Sequence, residues 1–136
     1  MEIVRKALEA FEQGGLDATL PFYDREVTWE EAEDEPEAET YQGHDGLRAL
    51  VGKWLVPFDD LRIEPEEFID AGEAVVMPYR FRGRERTSGS DITGPETWVF
   101  WLRDGRICKV REYRYKAEAL DAVGLSAAEI SKASLN

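Results

Sequence analysis

Two glutamates in this chain stand where strand alternation calls for apolar side chains. From Thr97 to Tyr115 the chain reads TWVFWLRDGRICKVREYRY, two strands around a tight turn at Asp104-Gly105, a strong hairpin signal. Along the first strand Trp98, Phe100 and Leu102 share one face. Along the second, Cys108, Val110 and Glu112 share a face, while Lys109, Arg111 and Tyr113 point the other way. A strand over Glu26 to Glu31 likewise alternates Val27, Trp29 and Glu31 against Thr28 and Glu30. Each pattern sets an acid beside apolar neighbours. Desolvation on such a wall pushes a carboxyl pKa upward. A carboxyl so tuned takes or gives a proton near neutrality, a role worth roughly 10² to 10⁴ in rate. The structural alternative is an acid that pairs with an arginine or with the Tyr79 hydroxyl.

Alternation from Ala74 to Arg84 puts Val75, Met77, Tyr79 and Phe81 on one face, opposed by Val76, Pro78, Arg80 and Arg82. Glu112, Glu31 and Tyr79 are therefore the candidate catalytic groups, with Tyr79 as a hydroxyl donor. The candidate binding wall is Trp29, Trp54, Met77 and Phe81, joined by Trp98, Phe100 and Val110. Aromatic walls with a few convergent polar groups are typical of small-molecule sites. The expected partner is a small apolar molecule. His44 is the only histidine and Cys108 the only cysteine. Without companions at ligand spacing they predict no metal site, and nothing predicts a cofactor. His44 reads as a cap or turn residue ahead of a helix, and Cys108 as a small packing residue.

These groups must be positioned by helices and strands whose signals are clear. Residues 2–13 space Ile3, Val4, Ala7, Leu8 and Phe11 as one helix face, ended by Gly14-Gly15. A short helix from Leu16 to Tyr23 precedes the first strand. The run EEAEDEPEAE, Glu30 to Glu39, reads as a solvated acidic loop and lacks the pattern of a calcium loop. Leu47, Leu50, Val51, Trp54, Leu55 and Phe58 give the cleanest helical period, with His44 or Asp45 as its cap and Pro57 in its last turn. Leu61 to Asp70 is extended and broken at Pro65, which suits an edge or bulged strand. Thr87 to Pro95, TSGSDITGP, predicts a loop. Lys116 to Val123 predicts a helix stopped by Gly124, and Ser126 to Glu129 opens a final helical turn with a capping-box pattern. Grouped strands with segregated helices predict an α+β fold, a curved antiparallel or mixed sheet wrapped on helices around a conical cavity.

The 136 residues fit a single domain spanning 1–136. A net charge of -12, from 29 acids against 17 bases, argues against nucleic acid or an anionic membrane as partner. No apolar run approaches the ~20 residues that span a bilayer. The amphipathic start, MEIVRKALEAF, has no signal-peptide core. With one cysteine, a reducing compartment and a cytoplasmic location are expected.

Three stretches carry a family resemblance: IVRKALEAFEQGGLDATLPFYDREVTWEE, YQGHDGLRALVGKWL and DGRICKVREYRYKAEAL. With them the chain resembles the SnoaL-like branch of the nuclear transport factor 2-like superfamily, which also holds ketosteroid isomerases, polyketide cyclases and limonene epoxide hydrolases. The resemblance implies a cone-shaped, cystatin-like α+β roll. It places Glu31 where ketosteroid isomerases carry their base at the end of the first strand. Ala7 and Trp98 fall near their oxyanion-hole pair, so steroid isomerisation is not implied. Glu112 corresponds to an acid of the epoxide hydrolases, whose arginine and second acid would fall at or near Tyr79 and Phe81. Polyketide cyclases, with a pocket acid on the late sheet, are the closer analogy. The implied function is small-molecule binding, with cofactor-free isomerase, cyclase or hydrolase chemistry on an apolar cyclic or polyketide-like substrate. The alternative is a non-catalytic ligand-binding or dimerisation module of the same fold. Relatives commonly dimerise through the outer sheet face. Here that face carries Arg80, Arg82, Trp101 and Arg111, so a homodimer is expected, with the arginines meeting acids of the partner or of the acidic loop.

Overall fold

Apolar residues at helical spacing build the first element. In the computed structural model, which describes residues 2–32 and 38–125, α1 (Glu2–Thr19) buries Val4 and Ala7. Gly14-Gly15 bends this helix rather than ending it. Gly15 takes φ 76 and ψ -163, a conformation open to a residue without Cβ. The second half folds back, and the buried Thr19 hydroxyl donates to the Ala7 carbonyl at 2.6 Å. A 3-10 turn, Leu20–Phe22, leads into β1 (Tyr23–Glu30) and then β2 (Thr40–Gln42).

Next comes α2 (Gly43–Leu55), which buries Leu47, Leu50 and Val51 and closes ahead of Pro57. Neither His44 nor Asp45 caps it. The helix begins earlier than expected, so Gln42 holds the cap position without a side-chain bond. His44 instead donates from Nε2 to the Tyr23 carbonyl at 3.1 Å, and Asp45 accepts from Arg48 at 2.7 Å.

The remaining elements are β3 (Phe58–Pro65), β4 (Ile69–Ala71), β5 (Ala74–Glu85), β6 (Asp91–Arg103), β7 (Arg106–Tyr113) and α3 (Lys116–Ala122). Strand order is β2-β1-β7-β6-β5-β3, with β4 also on β5. Among the described strands only β1 and β7 run parallel, so the fold is α+β with a mixed sheet. The break at Pro65 divides the expected Leu61–Asp70 strand, and β3 takes a sheet edge. The expected loop Thr87–Pro95 is shorter than its composition suggested. β6 starts at Asp91, Arg82 faces Thr93, and Thr93 donates its hydroxyl to the Phe81 carbonyl at 2.7 Å. A long partner strand overrides the local Gly and Pro signal.

Asp104 and Gly105 both take positive φ, 52 and 77, the primed turn that matches the twist of a hairpin. A register shift between Trp101 and Leu102 leaves one extra residue, Cys108, in β7. Cys108 therefore does not share the face of Val110, as strict alternation had predicted. Ile107 and Val110 are both fully buried, and the Cys108 thiol donates to the Trp101 carbonyl at 3.4 Å.

The inner sheet face packs Val27, Trp29, Met77, Phe100 and Val110 against Val4 and Ala7 of α1 and Leu47 and Leu50 of α2. The outer face packs Val76 and Val99 beneath Ala119 and Leu120 of α3. Residues 33–37 of the acidic run and the expected turn at Ser126–Glu129 lie outside the described residues. No helix among the described residues is long and apolar enough to cross a membrane.

Candidate functional site

The space between sheet and helices is filled under α1 and α2 and open where α2 ends. The filled part leaves a gap of about 30 Å³ among Ala7, Leu50, Trp29, Trp98 and their neighbours. The open part is a hollow of about 300 Å³. Its walls are Trp54 of α2, Phe58, Leu61 and Ile63 of β3, Tyr79 and Phe81 of β5, and Trp98 of β6. Three acids among the described residues line it: Glu31, Glu96 and Glu112.

Glu112 reaches the hollow because it stands two positions beyond buried Val110 on the inner face of β7. Its Oε2 accepts the Trp29 indole N–H at 2.6 Å. That tryptophan is set by register, since Trp29 pairs with Val110 across the parallel β1–β7 ladder. A charge-assisted bond of this kind fixes the orientation of the carboxylate.

Tyr79 is buried on β5 directly across from Glu96 of β6. Its hydroxyl donates to Glu96 Oε2 at 2.9 Å. Burial pushes the Tyr79 phenol well above its ordinary range, and the nearby charges of Glu96 and Glu112 push it further. The phenol thus keeps its proton and commits it to Glu96. Sequence reasoning missed Glu96 because the strand was expected to begin at Thr97. Extending the alternation of Phe100 and Trp98 back by two residues would have found it.

Glu31 follows the end of β1 and faces the hollow as half of an ion pair. Lys53 donates to its two carboxylate oxygens at 3.0 and 3.1 Å, and the Glu31 side chain is only 9% exposed. The hydrogen bond to Glu31 raises the Lys53 pKa. Glu31 Oε1 also accepts the Glu39 backbone N–H at 3.1 Å. The acid that closes the first strand therefore also ties down the far end of the acidic run.

Three of the four tryptophans form one cluster. Trp54 and Trp98 stack with centroids 5.4 Å apart, Trp29 meets Trp98 edge-on at 4.8 Å, and Tyr79 tilts against Trp98 at 4.5 Å. The Trp98 indole N–H lies near enough to the Tyr79 oxygen to favour the phenolate slightly. Enclosed among the rings, it nonetheless makes no hydrogen bond of good geometry.

Of the expected binding wall, Trp54, Phe81 and Trp98 do line the hollow. Trp29 lines the narrow gap and reaches the site through its N–H. Met77, Phe100 and Val110 do not line it. They are 0% exposed, core residues one layer behind the wall, because the helices cover that stretch of the sheet. Phe58, Leu61 and Ile63 lie outside the expected wall: the helical period assigns Phe58 to the helix, whereas it opens β3, and a bulge between Asp59 and Arg62 brings it to the same wall as Leu61 and Ile63. No group of three or more His, Cys, Asp or Glu among the described residues has metal-holding geometry.

A mixed sheet curled over two helices, with acids carried into a hollow beside them, is the NTF2-like architecture. An NTF2-like protein of unknown function from Burkholderia pseudomallei K96243 superposes with a TM-score of 0.74 at 24% identity, covering 91% of this chain and 96% of that one. TerC, crystallised with polyporic acid, gives 0.73 at 18% identity, over 90% of this chain and 95% of that one. A protein from Jannaschia sp. CCS1, described as a SnoaL-like polyketide cyclase, gives 0.72 at 17% identity, over 90% and 89%. The SnoaL-like domain model matches residues 4–110, and the chain belongs to that family. No curated protein matches it.

Proposed function

We propose that the hollow binds a compact, ring-bearing apolar molecule and that Glu112 moves a proton on it, in a cofactor-free isomerase, cyclase or hydrolase reaction. The observation that carries this reading is convergence. Glu112, held by Trp29, and Glu96, held by Tyr79, open on one space of about 300 Å³ walled by aromatic rings. That volume is at the small end of ligand sites. Two carboxylates oriented by separate donors allow one to take a proton while the other directs the substrate. Tyr79, its proton engaged, orients Glu96. Glu31, paired with Lys53, borders the site. Membership of the SnoaL-like family and the likeness to TerC with polyporic acid support a ring-bearing ligand.

Proton transfer can be tested without the natural substrate. In D2O a ring ketone such as 2-tetralone loses an α-proton to a base, and the enolate takes back a deuteron. We expect exchange catalysed by the protein, reduced about 10² to 10⁴-fold in Glu112→Gln, with 2-naphthol binding by tryptophan quenching near the native value. Exchange undiminished in Glu112→Gln would remove Glu112 from the mechanism. Binding without exchange by the native protein would leave a binding module.

We also propose a homodimer through the outer sheet face. Several of its cations already meet acids of their own chain: Arg82 pairs with Glu64, and Lys109 and Arg111 each reach Glu30, the start of the acidic run, at 3.7 Å. The half-buried Trp101, with Lys109 4.9 Å above its ring, supports a second copy seating beside α3. Sedimentation at micromolar concentration should give twice the 15.5 kDa chain mass; a monomer there rejects the interface.

A further inference from the structure

We propose that Ile63 sets the size of the molecule this site accepts, stopping it at a compact ring system; the proposal rests on the hollow being a ring-binding site. Three spaces meet around β3. One is the gap of about 30 Å³ beneath the helices, the second the hollow of about 300 Å³ that holds Glu96 and Glu112. The third is a groove of about 700 Å³ between α1 and β3, bordered by Arg5, Glu12, Asp60 and Phe68. Trp54 and Trp98 part the gap from the hollow, Leu8 and Phe11 part the gap from the groove, and Leu61 parts the hollow from the groove. Ile63 stands at every one of these junctions and, among the described residues, is the single side chain common to all three walls.

Its chemistry suits a stop. An isoleucine is branched at Cβ and stiff at χ1, so it does not swing aside as a leucine or methionine would. Register fixes its height in the sheet, because Ile63 pairs with Phe81 across β3 and β5, and it packs on the core cluster. A molecule entering beside Glu112 meets Ile63, together with Leu61 two positions along β3, before it can reach the groove. The groove is rich in charge, with Arg5, Arg62, Glu9, Glu12, Asp60 and Glu64 on its walls. Shortening Ile63 joins an apolar, acid-bearing chamber to a polar one, and the joined space takes an elongated molecule with an aromatic head and a longer tail.

The test uses two probes with the same head, 2-naphthol and 6-phenyl-2-naphthol, titrated against the native protein, Ile63→Val and Ile63→Ala by tryptophan quenching. The native protein should prefer 2-naphthol by at least tenfold. Ile63→Ala should abolish or reverse that preference, and Ile63→Val, which keeps the branch and the fold, should move it partway in the same direction. Binding of 2-naphthol with a preference unchanged in both variants overturns the role of Ile63 and leaves the ring-binding site standing. If the native protein binds neither probe, both readings fall.

Discussion

The interior has two ends made from the same strands, and they do opposite things. In the filled end Phe100 pairs with Val110 across β6 and β7, and both are fully buried. The next inward pair along that ladder is Trp98 with Glu112, and there the hollow begins. One pleat therefore separates core from candidate chemistry. The sheet does not change character over that distance. What changes is the opposing surface, two helices at one end and the edge strand β3 at the other. A cavity in this fold is where cover runs out, and an acid is tolerated at the first position past the cover because donors such as the Trp29 N–H already wait there.

The contrast can be broken from the core side. Phe100→Ala should cost about 3–5 kcal/mol, the usual range for emptying a fully buried aromatic site, read by urea unfolding. A cost below about 1 kcal/mol would mean the filled end is not packed as described. The link between the ends is the next target. Trp29 sits in the core but its N–H serves Glu112, so Trp29→Phe keeps most of the packing and removes a bond to a charged acceptor, worth about 1.5–3 kcal/mol. Stability unchanged in Trp29→Phe would detach the acid from the core.

The smallest effect is read by pH. Burial raises the pKa of Tyr23 in the core and of Tyr79 in the site. Below about pH 10, the ordinary tyrosine value, both stay protonated folded or unfolded and contribute no pH dependence. Above it the unfolded chain sheds both protons while the folded chain retains them. Stability then falls by about 1.4 kcal/mol per pH unit for each tyrosine. Tyr79→Phe should remove that tyrosine's share of the slope and leave the shares of Tyr23, Tyr41 and Lys53, whose pKa values are raised as well. If the full alkaline slope survives in Tyr79→Phe, the phenol is not shielded as its setting implies.

Much of the architecture was readable from the residues. The helical period through Leu47, Leu50 and Val51 and the Asp-Gly turn each point to one local solution, and the inward faces of β5 and β6 follow from simple alternation. Glu112 was legible for the same reason. The failures have a common cause, namely that register is a property of two strands. Nothing local reveals that Gly94 and Pro95 are drafted into a ladder by Phe81 and Arg80, so Glu96 falls between the expected loop, which ends at Pro95, and the expected strand, which begins at Thr97. Nor does alternation alone say which inward residues are covered. Met77 and Trp98 pair across β5 and β6, yet only the tryptophan reaches the hollow. The Lys53 partner of Glu31 comes from another element altogether.

The bulge at Cys108 loosens the coupling between the two ends of β7. Since Ile107 and Val110 both turn inward with an additional residue between them, the hairpin tip and the stretch bearing Glu112 need not keep step. A chain shortened by that one residue would read Ile, Lys, Val, Arg, Glu in regular alternation and still aim its acid the same way. The hairpin can thus lose that one residue without redirecting the carboxylate.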